Sequence, residues 1–206
     1  ALIIFVILTV VLACIHVCLN IIVSSDSMER TLYKASNSSL SIVRKAEQST
    51  FELNKFDELK RIKEISNIVP EYEGIASLEG SNVVSGKQTV RRDDVSGDLS
   101  NAAAVRTTGS TKRELLFSSG VFTLEKGRHI SSKDKGKVLV HKKFADQNKL
   151  KLHDKVKLKF LKTDGSTSSS GETQTLEIVG IFSGKMQEQH TGLPSDLSEN
   201  TMFADY

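Results

Sequence analysis

The chain opens on 23 residues in which only Thr9, His16 and Asn20 interrupt an apolar run, and its first formal charge is Asp26. At about 1.5 Å per residue, a helix of this length crosses a hydrocarbon core of roughly 30 Å. Residues 1–23 therefore read as a membrane-spanning helix, anchored in lipid by Leu2, Phe5, Leu8, Leu12, Ile15, Leu19 and Ile22. A secretory signal would show a basic start, a shorter apolar core and a small-x-small cleavage site. Ser24-Ser25-Asp26 is a poor cleavage context, so an atypical signal and a buried core helix are the weaker alternatives. Because the chain begins with Ala1 rather than Met, the basic residues that set orientation are expected upstream. Helical spacing continues through Met28, Leu32 and Ala35, which predicts a stalk over residues 24–38.

Beyond the stalk the pattern turns polar and changes period. Residues 40–45 alternate as a strand, and residues 54–65 carry an apolar stripe that predicts an amphipathic helix with Asn54 as its N-cap. Residues 73–78 read as a second strand. Strand, helix and strand in about 40 residues would make a right-handed crossover if the strands are parallel neighbours. Residues 79–101 read as a loop or inserted element, and 102–107 and 114–117 as strands. A strand at 136–140, a short helix at 142–148 and a strand at 155–161 follow, the last from the alternation of Val156, Leu158 and Phe160. The Ser/Thr/Gly-rich stretch 163–173 predicts a flexible hairpin loop. Residues 176–182 return as a strand, 190–200 form a polar loop, and 201–206 start another strand that looks unfinished, as expected of a truncated chain.

Composition sharpens this picture. All 28 basic and 25 acidic residues lie after Val23, with signs interspersed and a net charge of only +3, so no nucleic-acid stripe is present. Both cysteines, Cys14 and Cys18, lie in the apolar run, which leaves the polar part without thiol chemistry or cysteine-bound zinc. The polar domain is long enough to bury one core or two small ones.

No constellation argues for an enzyme. The stretch from Gly80 to Gly86-Lys87-Gln88 has five residues between its glycines instead of the four of a phosphate loop, and Gln88 stands where Ser or Thr would hold magnesium. His129, His141 and His153 recur every 12 residues without a local metal-ligand pair and read as surface histidines. Asp93-Asp94 reads as a solvated pair in a polar loop. There is no GxSxG elbow and no HExxH. Catalytic residues, cofactors and metals are accordingly expected to be none.

One resemblance organises these pieces. Phe122-Thr-Leu-Glu-Lys-Gly127-Arg128-His-Ile130, then Gly136-Lys-Val138-Leu-Val140, then Phe144-Ala145, then Leu150-Lys-Leu-His153-Asp154-Lys-Val156, and finally Ile178-Val-Gly180-Ile-Phe182 resemble the extracytoplasmic core domain of MacB/FtsX-like permeases of ABC transporters. Thr201-Met-Phe203 resembles the strand near that domain's end, and Ile68-Val-Pro70 its usual linker. The resemblance covers nearly the whole chain, and its signature positions are Gly127, Arg128, Val138, Val140, Ala145, Asp154, Val156 and Gly180. In one departure, His153 stands where relatives have glycine; if that turn needs positive φ, histidine would be strained there. In a second, the middle region from Gly80 to Arg113 is short where relatives often insert a larger subdomain.

The resemblance implies an α+β chain: a transmembrane helix over 1–23, a stalk over 24–38 and a mixed α/β MacB-like extracytoplasmic domain over 39–206. Strand-helix-strand units would build that domain, with a small insertion or loop region at 80–113. It implies a noncatalytic permease subunit in the cell membrane, with residues after about 24 on the extracytoplasmic side. Its partners would be a cytoplasmic ABC ATPase subunit, a second permease copy or homologue, and membrane lipid, with no nucleic acid. Relatives export peptides or antimicrobials, confer peptide resistance or regulate cell-wall hydrolases. The cysteine-free, Lys/Ser/Asn-rich surface inclines toward a Gram-positive cell. The alternative is a single-pass anchored extracellular binding or regulatory module without transport.

Overall fold

The computed structural model describes residues 2–37, 42, 53–65, 68–86, 97–163 and 168–205, and the chain divides into two compact units, Ala1–Glu58 and Leu59–Tyr206. The first unit is dominated by helix α1, Leu2–Asn37, which at 36 residues is about 54 Å long. It contains no glycine or proline, so nothing interrupts its hydrogen-bond ladder. Its segment Ile3–Ser25 has a mean hydropathy of 2.8 and exposed side chains. The helix is thus long and apolar enough to span a membrane or to serve as a signal sequence. The Thr9 hydroxyl is satisfied within the helix, donating to the Phe5 carbonyl at 2.8 Å.

The strand expected at 40–45, and with it the first half of the expected crossover unit, lies outside the described residues apart from Ile42. The helix expected at 54–65 is instead a 3-10 helix, Leu53–Arg61, with Asn54 inside it rather than capping it. The sequence holds the reason. Leu53, Phe56, Leu59 and Ile62 recur every three residues, which matches three residues per turn better than 3.6.

The second unit is a closed barrel. Its strands are β1 (Glu71–Glu79), β2 (Ala102–Thr108), β4 (Lys137–His141), β5 (Lys155–Thr163), β6 (Ser168–Gly184) and β7 (Thr201–Ala204), while β3 (Phe122–Gly127) is appended outside the ring. The ring runs β6-β4-β7-β2-β1-β5 and closes because β5 also pairs with β6. Pairs β2–β7 and β4–β6 are parallel and the rest antiparallel. Closure depends on the 17 residues of β6. Its first part pairs with β5 through Glu177, and from Lys137↔Glu177 onward its other edge takes β4. Its last residues, Gly180 to Gly184, take β3 on the edge that β5 has left.

Alternation along these strands separates two cores. Ala76, Leu78, Val105, Val138, Val140, Val156, Leu158, Leu176, Ile178 and Met202 fill the barrel interior, joined by Phe144 and Ala145 of α4 (Lys142–Gln147). On the outer face, Phe122, Leu139, Phe182 and Phe203 form an aromatic core with Phe117 of the short helix α3, Leu115–Ser118. The Phe122 and Phe182 rings lie 4.9 Å apart, and Phe117 stands edge-on to Phe203 at 5.0 Å. Such offset and edge-to-face contacts add to simple burial.

Several expectations change here. Residues 114–117 are not a strand. The Glu114 carboxylate accepts from the Leu116 and Phe117 amides at 2.7 and 3.4 Å and starts α3 instead. The stretch 163–173, expected as a flexible loop, carries Ser168–Thr173 in register with β5. Backbone pairing needs no apolar side chain, and Thr favours the pleated backbone. The polar loop 190–200 is wound into two 3-10 turns, Pro194–Asp196 and Ser198–Asn200, with Ser195, Asp196, Ser198 and Asn200 buried. The 80–113 stretch holds a four-residue helix α2, Gly97–Ser100, and supplies β2 to the centre of the ring.

Candidate functional site

Among the described residues, one end of the barrel is stoppered and the other carries a groove. At the stoppered end the extended segment from Asn82 to Val84 is gripped by carboxamides. Asn148 accepts from the Asn82 amide at 2.8 Å, Asn101 from the Val83 amide at 2.9 Å and Asn200 from the Val84 amide at 2.7 Å. Gln147 and Asn200 donate back to the Val83 and Val84 carbonyls, both at 2.9 Å. Val83 and Val84 pack onto the barrel interior. These bonds replace the strand partners that this backbone lacks.

The open end is a groove of about 460 Å³ lined by Tyr72, Thr107, Lys135, Phe160, Gln174 and Leu176, with Gly136, Ala204 and Asp205. Register explains why these residues meet. Tyr72 pairs with Thr107, Thr107 with Ala204, Ala204 with Val138, and Phe160 with Ala76. Each therefore shares the inward face. The layer is hollow because its inward positions are small: Gly74, Ala204 and Gly136 leave room where larger side chains would fill the lumen. A Cβ on Gly74 would lie 2.8 Å from the Tyr72 ring, so the missing side chain is what lets Tyr72 fold back over the opening. Asp205 braces the rim, its two oxygens accepting from the Gly136 and Lys137 amides at 3.0 and 2.7 Å.

The signature positions fall into two groups. Val138, Val140, Ala145 and Val156 are interior packing residues. Gly127, Arg128, Asp154 and Gly180 meet on β6, where β3 ends and β5 begins. The Arg128 amide donates to the Val179 carbonyl at 2.9 Å, the His153 amide to the Ile178 carbonyl at 2.8 Å, and the Ile178 amide to the Asp154 carbonyl at 2.8 Å. Gly127 has φ +80°, and a Cβ there would sit 2.2 Å from the Val179 carbonyl oxygen. A Cβ on Gly180 would lie 2.7 Å from the Arg128 carbonyl oxygen. His153 adopts φ +74°, so the turn does demand the left-handed conformation that histidine fills at a cost.

A charge cluster surrounds this junction. Arg128 donates through both guanidinium arms to Asp134, at 2.8 and 2.6 Å, and holds its carboxyl well below the usual range. Glu177 is bound by Lys137 and by His153 Nδ1, and these hydrogen bonds, Lys137's first, lower its pKa to about 2. Away from this junction, on β2, Arg106 reaches Glu73 at 2.8 Å and buried Glu114 at 3.3 Å. Burial raises Glu114 and Glu71 against the pull of that arginine.

The histidines divide differently from expectation. His153 is exposed and His129 half-buried, but His141 is buried and not a surface residue. Its Nδ1 accepts from the Lys143 amide at 3.2 Å, capping α4, and its Nε2 lies 3.1 Å from the Gly184 carbonyl. The signal missed in the sequence was position: a residue directly before a helix is pulled into the core when the preceding strand is. The three histidines do not converge, and among the described residues no group of three or more His, Cys, Asp or Glu could hold a metal ion. Of the glycine-rich stretch, Ser81 to Gly86 is described and Lys87 and Gln88 are not; Asp93-Asp94 also lies outside the described residues.

No protein-family model matches the chain, and no curated protein matches it.

Proposed function

We propose that this chain is the first membrane helix and extracytoplasmic domain of a MacB/FtsX-like permease, the noncatalytic subunit of an ABC transporter. The observation that carries the reading is the convergence of Gly127, Arg128, Asp154 and Gly180 on one stretch of β6, far apart in sequence and joined by main-chain bonds. The unbroken helix from Leu2 to Asn37 supports it further. A helix that continues 12 residues past the apolar segment Ile3–Ser25, with no glycine or proline, resists bending and suits a lever. On this reading a separate cytoplasmic ATPase binds and hydrolyses ATP, two permease copies pair in membrane lipid, and movement passes through the helix to the domain outside. Export of peptides or antimicrobials, or resistance to them, is the corresponding activity.

The test is coupling. Inserting Gly-Gly after Met28 in the full-length protein, assembled with its ATPase, should leave ATP hydrolysis intact and abolish transport; unchanged coupling sinks the lever. The reading frame beyond Tyr206 should encode three more apolar segments of about 20 residues. A stop codon soon after Tyr206 instead favours the second reading, a single-pass anchored binding module, which the open barrel groove supports.

A further inference from the structure

The open end of the barrel has the size and chemistry of a ligand site. Its volume of about 460 Å³ lies within the roughly 300–1,000 Å³ of ordinary small-molecule pockets. Its floor and wall are apolar: Leu176 is buried, Phe160 half-buried and Tyr72 stands 56% exposed over the opening. Its polar side chains, Thr107, Lys135, Gln174 and Asp205 with the Tyr72 hydroxyl, line the same groove. Among the described residues, no hydrogen bond or ion pair engages the Thr107 hydroxyl, the Gln174 carboxamide or the Lys135 ammonium. Asp205 differs, since each of its oxygens already accepts a rim amide. The neighbouring charges Lys137 with Glu177 and Arg128 with Asp134 are likewise paired. Among the described residues lining the groove, Lys135 is therefore the uncommitted charge, and it is positive.

We propose that this groove binds the C-terminal end of an apolar peptide. The free carboxylate pairs with Lys135, the last amide bonds the Gln174 carboxamide and the Thr107 hydroxyl, and the terminal side chain lies against Phe160, Leu176 and Tyr72. The carboxamide decides between a peptide and a fatty acid. It presents both a donor and an acceptor, which matches an amide and has no counterpart on an alkyl chain. The volume limits the site to about the last two residues.

The chain has no tryptophan, so a tryptophan-bearing ligand reports on itself. The experiment titrates this 206-residue chain in lipid nanodiscs into N-acetyl-Gly-Leu-Trp as the free acid, as its C-terminal amide, and with decanoate as competitor. Empty nanodiscs give the background. The expected result is a saturable blue shift for the acid, at least tenfold weaker binding for the amide, and a similar loss for Lys135→Gln. Gln174→Leu should weaken the peptide while leaving decanoate unaffected. Both substitutions lie on exposed side chains, and matched melting curves show that the variants fold. Equal binding of acid and amide, or binding that Lys135→Gln does not change, overturns the proposal. So does decanoate binding tighter than the peptide, which would make the groove a lipid site. None of these outcomes bears on the coupling test of the helix, so the two readings fail separately.

Discussion

His141 and Gly184 tie the end of β4 to the end of β6: the imidazole Nε2 lies 3.1 Å from the Gly184 carbonyl, with the ring 4% exposed. Because Nδ1 accepts from the Lys143 amide, Nε2 must carry the proton, and the neutral ring is the form that fits. Burial, the largest influence, lowers the folded-state pKa of His141, and His129 moves the same way. The unfolded chain therefore takes up these protons first as pH falls below about 6.5. Stability from the neutral rings is fully present above that value and is lost below it. Glu114, which is buried, and Glu71, partly desolvated beside it, are both raised and act in the opposite sense above about 4.5. Melting curves from pH 7.5 to 5.5 should show a falling Tm, and His141→Asn, which keeps a cap but removes the titrating ring, should flatten the slope. An unchanged slope in that variant refutes the assignment.

His153 occupies a left-handed turn at φ +74°, and its side chain makes only an exposed bond to Glu177. Left-handed backbone costs a non-glycine residue about 1–2 kcal/mol, part of which glycine returns through its freer unfolded chain. His153→Gly should stabilise the domain by about 1 kcal/mol, and His153→Val should destabilise it. Chemical denaturation of both variants decides the matter, and a less stable glycine variant would show that the Glu177 bond outweighs the strain.

Two glycines with similar positive φ should respond differently to alanine. Gly80 (φ +76°) has nothing within 4 Å of a built Cβ, whereas Gly127 (φ +80°) would meet a main-chain carbonyl at 2.2 Å. Gly80→Ala should cost about 1 kcal/mol, the conformational penalty alone. Gly127→Ala adds a clash that only backbone movement relieves, for a loss above about 2 kcal/mol. Paired denaturation curves test this, and equal losses would mean that β3 moves freely away from β6.

Asn200 is fully buried and grips Val84 at both its amide and its carbonyl, with a further bond to the Pro194 carbonyl at 2.8 Å. Asn200→Ala strands those groups and should cost about 2–4 kcal/mol, at about 1 kcal/mol for each lost bond plus desolvation. Hydrogen exchange at the Val84 amide should accelerate most. Uniform acceleration across the barrel would show that the gripped segment is not a separate unit.

Thr201 presents the opposite case. Its hydroxyl is buried without a hydrogen-bond partner among the described residues. Thr201→Val removes an unsatisfied group at similar size and should raise stability by about 1 kcal/mol. A fall in Tm would show that a water or an unseen partner satisfies the oxygen.

The division between what was legible and what was not follows the range of the forces. The apolar run predicted α1 because a helix satisfies its own backbone locally, and the alternation of Val156, Leu158 and Phe160 predicted β5 because one face is buried. The positive φ at His153 was foreseen only as a condition, from the glycine that the resemblance places there, and the structure supplies the value. Helix α3 was hidden because Glu114-Leu-Leu-Phe117 has no period, and a single carboxylate capping two amides decides its conformation. The groove was hidden more deeply. Tyr72, Thr107, Lys135 and Gln174 come from four segments, and no spacing in the sequence connects them.

The sequence by itself determined the long apolar helix, most of the strands and the lack of any recognisable catalytic motif, because periodicity and composition act over a few residues. Only the tertiary structure decided the closed barrel, the burial of His141 and the hollow layer beside Phe160. These depend on which strands β6 pairs with along its 17 residues, and pairing across long loops is set by the shared interior that all six strands must fill at once.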